Sequence, residues 1–238
     1  MDTKTRGDGP LLLLLHGGGG NANSFDAVLD ILAEQHTVVT YTQVDAGPVE
    51  RADEAAQLLA DLGAKKAAIF ASSAGAMAAL DLVARRPERV GLVIAHEPPM
   101  VSLLPDAAEL LDAFHDLLGR PDAAERFLRL TGMLGTDNED LVRAAAEQMQ
   151  VDERATAFLS HQPDLAAIRA SGVNVVLAAG KAVSGSLLFR ASEAVADALH
   201  VPLVVFPGNH FGYVPIPGLN DAAAFGRTMV DLLRSQLR

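Results

Sequence analysis

Along most of the chain, short apolar runs alternate with longer stretches whose apolar residues recur every three or four positions. That alternation predicts a mostly parallel β-sheet covered by helices. Leu11–Leu15 reads as a buried strand ending at His16 and four glycines. Ser24–Glu34 reads as a short amphipathic helix capped by Ser24, His36–Tyr41 as the next strand and Arg51–Leu62 as the next helix. Ala67–Phe70 is a strand that passes through five small residues into the helix Ala74–Arg85, which Pro87 stops. Val90–Ala95, Val173–Ala179 and Leu203–Phe206 supply further strands. A helix around Leu187–Leu199 separates the last two, and Asp221–Leu237 closes the chain as an amphipathic helix.

From about Met100 to Ala170 the alternation stops. Leu110, Leu111, Phe114, Leu117 and Leu118, then Phe127, Leu128 and Leu130, then Phe158 and Leu159 fall at helical spacing. This stretch lies between a strand end and the next strand, so it is expected over the strand C-termini, where open α/β sheets bind ligands. The expected organisation is a core of residues 1–99 and 171–238, with a helical cap of residues 100–170 inserted into it.

Half of the 238 residues are hydrophobic, ample for one large α/β core. The net charge of −11 is spread along the chain, which argues against nucleic acid and anionic membrane as partners. With no cysteine, disulfides, thiolate catalysis and zinc–thiolate sites are excluded. Leu11–Leu15 is far too short for a signal-peptide core or a membrane span, so a cytoplasmic location is expected.

The junction Ile69-Phe70-Ala71-Ser72-Ser73-Ala74-Gly75 carries the most chemistry. Centred on Ser73, the residues two before and two after are Ala71 and Gly75, small enough for a sharp strand-to-helix turn. Centred on Ser72, the first would be Phe70, which would clash. Ser73 is therefore the expected nucleophile, facing a helix N-terminus. The consecutive glycines after His16 can aim backbone amides at a negatively charged oxygen. No Lys-Ser/Thr pair follows them, so an oxyanion hole built from the Gly18 and Ala74 amides fits better than a phosphate cradle. His16, Gly17 and Ser72 are expected as supporting residues. Just past the last strand, His210 in Gly208-Asn209-His210-Phe211 can take and return the serine proton. The loop after Val173–Ala179 has no acidic residue, so the carboxylate behind His210 falls to Glu97 in His96-Glu97-Pro98-Pro99, with Asp164 as the alternative.

With these residues in place, the chain resembles the α/β-hydrolase superfamily over nearly its whole length. His16-Gly17-Gly18-Gly19-Gly20 is similar to its oxyanion loop, Ala71-Ser72-Ser73-Ala74-Gly75 to its nucleophile elbow and Gly208-Asn209-His210-Phe211 to its histidine loop. The resemblance implies the α/β-hydrolase fold, with the N-terminal strands missing or abbreviated. It also implies a serine hydrolase that acts on an ester, lactone or thioester, and the Leu, Phe and Met content of the cap favours a largely apolar small molecule as its substrate. No metal or organic cofactor is implied. Two other activities remain compatible with the same pocket. One is a non-hydrolytic biosynthetic reaction (cyclisation, elimination or acyl transfer), and the other is ligand binding without catalysis. The empty acid loop and the segment Tyr41-Thr42-Gln43-Val44-Asp45-Ala46-Gly47, which departs from the superfamily's usual loop, give the first of these its weight.

Overall fold

A computed structural model describes residues 2–236, with Arg154 described by its backbone alone. The expected end of the closing helix at Leu237 lies outside that range. Seven strands form one sheet in the order β1-β3-β2-β4-β5-β6-β7. They are β1 (Thr3–Arg6), β2 (Leu11–Leu15), β3 (Thr37–Tyr41), β4 (Ala67–Ser72), β5 (Val90–His96), β6 (Asn174–Gly180) and β7 (Leu203–Phe206). All neighbours run parallel except β1, which pairs antiparallel with β3.

β1 was not expected from the sequence. Its residues, Thr-Lys-Thr-Arg, are all polar and mostly exposed, so no apolar alternation marks them. A charged edge strand of this kind discourages further pairing, and Lys4 instead bonds Asp26 at 2.7 Å.

Right-handed crossovers explain how the helices divide. The chain moves from β2 to β3 in one direction, through α1 (Asp26–Ala33). It then reverses to β4 on the other side of β2, through α2 (Pro48–Asp61), and keeps that direction to β7. α1 therefore covers one face together with α10 (Ala222–Gln236). α2, α3 (Ala74–Arg85), α8 (Leu165–Ala170) and α9 (Leu187–Leu199) cover the other.

The strands follow the same division. Leu13, Leu15, Ile69, Val93 and Leu177 face the α2–α3 side, and Leu12, Leu14, Phe70, Ile94 and Val176 face the α1–α10 side. Both sides being covered, the strands read as continuous apolar runs. Each fully buried leucine of β2 stabilises the fold by about 1.5–3 kcal/mol.

One local expectation is corrected. Ser24 does not cap α1, which starts at Asp26 behind Phe25 without a side-chain cap. The Ser24 hydroxyl accepts instead from the Asn21 amide, closing a turn of the preceding loop.

Between β5 and β6 the chain forms α4 (Ala107–His115), α5 (Ala123–Thr131), α6 (Glu139–Ala146), α7 (Glu153–Ser160) and then α8. α4, α5 and α7 share a small apolar cluster with the start of α9 through Phe114, Ala123, Leu159 and Leu187. α5 and α6 form a second around Leu128, Met133, Val142 and Leu188. α7 is tied to the core where His161 Nε2 meets Asp81 Oδ2 of α3 at 2.9 Å.

Candidate active site

The reversal of strand order places the C-terminal ends of β2 and β4 side by side, the position where a crevice opens in an open α/β sheet. The glycine loop leaves β2 there, and the serine turn leaves β4.

Ser73 has φ 56 and ψ −124, a left-handed backbone that a residue with a Cβ rarely adopts. The turn is held by the Ser73 amide donating to His96 O at 2.8 Å and by Ala76 returning to Ser73 O at 2.8 Å. It also needs glycine at position 75, where a Cβ would lie 2.5 Å from both His16 O and Leu15 O. The helix axis can therefore approach β2 closely only because Gly75 has no side chain. Ser72 is fully buried, its Oγ 3.3 Å from His96 Nδ1, whereas Ser73 is partly exposed.

Gly17 abuts Ser73, a Cβ on it falling 3.1 Å from Ser73 Cβ. Gly17 to Gly20 form a turn closed by Gly20 N–H to Gly17 O, with Gly19 at φ 69. The Gly18 and Ala74 amides donate to no partner among the described residues. Each is available at the edge where Ser73 sits.

His16 anchors this loop. Its Nε2 accepts from the Gln43 amide at 3.1 Å, its carbonyl accepts from the Gln43 side chain at 2.8 Å, and Nδ1–H donates to Gly17 O. Burial is the main reason its pKa falls to about 4, so the ring is neutral and its tautomer is set by these bonds.

Glu97 follows β5, which pairs with β4 such that Ser72 is opposite His96. It is fully buried at φ 47, with its amide bonded to Ala178 O. One carboxylate oxygen, Oε1, accepts from the Gly180 amide at 2.7 Å, and the other, Oε2, meets His210 Nδ1 at 2.5 Å. Burial alone would raise the Glu97 carboxyl, but the bond and charge of His210, with lesser help from His96 and Gly180, hold it below its ordinary value. The loop that has no acid thus contributes a backbone amide to an acid carried by the neighbouring strand.

Asp164, the alternative acid, is elsewhere. It caps α8, accepting from the Ala167 amide at 2.9 Å. The Ser73 hydroxyl makes no hydrogen bond to His210 among the described residues. The two are brought to the same edge through His96, whose carbonyl holds Ser73 and whose ring centroid lies 6.0 Å from that of His210.

His96, Glu97 and His210 also offer three ligand atoms within 4.8 Å of one another. All three side chains are buried, and Glu97 and His210 already bond each other through Oε2 and Nδ1.

Sequence reasoning did not foresee Gln43, Gly180, Asn209 or Asn220 at this site. Each acts through a backbone amide or a side-chain amide, and its partner comes from another loop.

The strand order, the serine turn and the histidine loop after the last strand define an α/β-hydrolase, and the chain belongs to that superfamily. The uncharacterized hydrolase YraK of Bacillus subtilis (strain 168) is 34% identical to it over 233 residues, spanning 88% of this chain and 85% of its own. Zearalenone hydrolase of Cladophialophora bantiana is 26% identical over 255 residues, 97% of this chain and 91% of that one. Among solved structures, MenH from S. aureus superposes with a TM-score of 0.72 at 12% identity, covering 100% of this chain and 99% of its own. Est816, described as an N-acyl homoserine lactone degrading enzyme, gives a TM-score of 0.70 at 16% identity, covering 98% and 95%. No protein-family model matches the chain.

Proposed function

We propose that this protein is a serine hydrolase that cleaves an ester, lactone or thioester of a largely apolar small molecule. The observation that carries this reading is the buried Glu97–His210 pair beside a serine held at a strained turn. Ser73 Oγ attacks the carbonyl carbon as His210 Nε2 takes its proton. Glu97 keeps the other ring proton on Nδ1 and stabilises the imidazolium that forms. The Gly18 and Ala74 amides receive the developing oxyanion. His210 then returns the proton to the leaving oxygen or sulfur, and water, deprotonated by the same ring, releases the acyl group and restores Ser73. Residues 100–170 act as a cap over this edge, and their Leu, Phe and Met content favours an apolar substrate. The names of relatives and neighbours, an N-acyl homoserine lactone degrading enzyme and a zearalenone hydrolase among them, are in keeping with an ester or lactone.

A fluorophosphonate probe tests the nucleophile. It is expected to label the folded protein at Ser73, identified by peptide mapping, and not to label Ser73→Ala. Turnover of a chromogenic ester and lactone panel should vanish with the same substitution. Absence of labelling, or full activity in Ser73→Ala, overturns the assignment.

A further inference from the structure

The backbone of His210 is held by a turn from the inserted helices. Its amide donates to Met133 O at 3.2 Å, and the side chain of Asn209 donates from Nδ2 to Leu134 O at 2.8 Å. Met133 and Leu134 form the connection between α5 and α6, outside the sheet that carries Ser73 and Glu97. Asn209 is fully buried and uses every polar group it has. Its Oδ1 accepts from the Phe211 amide at 2.8 Å and from Asn220 Nδ2 at 2.9 Å, and its own amide donates to Asn220 Oδ1 at 3.0 Å. The turn itself is seated on the β6–α9 loop, because Gly135, at φ 65, has no Cβ to meet Ala182 O at 2.5 Å.

We propose that Asn209 is a positioning residue that couples the α5–α6 turn to the His210 imidazole. Substrate packing against the inserted helices would thereby set the ring against Ser73. The inference rests on His210 being the general base. The side chain must donate to one carbonyl while accepting from two amides, which only an amide of this length does here. Asp at the same place would set a carboxylate oxygen against Leu134 O, repelling the turn with little change of shape.

Three variants test this with a chromogenic ester and the fluorophosphonate probe: Asn209→Asp, Gly135→Ala and His210→Gln. Asn209→Asp is expected to lower kcat by about 10- to 100-fold with KM changed little, the penalty of a misplaced catalytic group. It should also slow Ser73 labelling and displace the acidic limb of the kcat/KM–pH profile, which loss of stability alone would not do. Gly135→Ala, which displaces the turn without replacing any residue of the histidine loop, should reproduce that pattern. A wild-type kcat and pH profile in folded Asn209→Asp and Gly135→Ala, with His210→Gln inactive, overturns the coupling and leaves the triad standing. Full turnover in His210→Gln overturns the triad itself, and the coupling with it.

Discussion

Glu97 and His210, 113 residues apart in the chain, meet through Oε2 and Nδ1 at 2.5 Å with both side chains buried. The free oxygen of Glu97 is closed off by the Gly180 amide, so the carboxylate can turn neither way. Its place after β5 suits this task, because the parallel pairing that sets Ser72 opposite His96 brings the next residue to the same edge. Pro98 and Pro99 follow at once, which limits the backbone on that side.

Replacing Glu97 with Gln isolates that contact. The Gln carbonyl can still accept from Gly180, which turns its NH₂ toward His210 Nδ1. Nδ1 must then accept, and the ring proton moves to Nε2, where it blocks deprotonation of Ser73. A fall in kcat of about 10⁴-fold is expected, by analogy with a triad locked in the wrong tautomer. Steady-state kinetics on a chromogenic ester measure it, and turnover near that of the wild type would remove Glu97 from the triad.

Gly75→Ala addresses the fold of the elbow. The new Cβ would press on two backbone carbonyls of β2, His16 O and Leu15 O, neither of which can rotate away. Overpacking of this kind costs about 1–3 kcal/mol. Thermal unfolding should show a Tm lower by about 2–4 °C for each kcal/mol at this chain length. An unchanged Tm would mean that α3 can shift from β2 freely.

Acid should destabilise the protein through two buried rings. His16 and His96 are each lowered from 6.5 to about 4, chiefly by burial. Between those values the unfolded chain binds protons that the folded chain refuses, so stability is full above 6.5 and falls as pH drops through the window. The loss approaches about 3 kcal/mol for each ring near the lower limit. Glu97 works in the same sense at lower pH: its lowered carboxyl contributes stability that is full above the ordinary 4.5 and is lost as pH falls through its folded value. His96 lies among Phe70, Phe206 and Phe225, so Phe can take its place. His96→Phe should flatten the dependence of Tm on pH between 6.5 and 4.5, and a slope equal to the wild type's would count against the buried ring.

What the sequence disclosed follows the range of the interactions. Leu11–Leu15 and Val90–Ala95 announce themselves because both faces of their strands are covered, leaving unbroken apolar runs. Ser73 is legible because its strained turn demands small residues within two positions. β1 left no such trace, its pairing with β3 being backbone alone on polar residues. Asn209 and Gly180 could be read as loop residues only, since their partners, Leu134 and Glu97, stand 75 and 83 residues away. Glu97 was reachable because a charged residue directly after a core strand has few other reasons to be there. Asp164, equally charged, had one: the first turn of α8.

The Gly18 amide can be tested without disturbing its loop. Gly18 is the second residue of the turn Gly17–Gly20, and Gly19, the third, has φ 69. That is the pattern of a type II turn, in which proline suits the second position. A Cβ at Gly18 would meet nothing within 4 Å, so there is space for an alanine side chain. Gly18→Ala keeps the N–H and should turn over a chromogenic ester much as the wild type does. Gly18→Pro removes the donor and nothing else the turn requires. Its kcat should fall by about 10²–10³-fold, the usual cost of losing one oxyanion donor. If the proline and alanine variants have equal kcat, the oxyanion is held by other groups and the glycine loop only shapes the crevice.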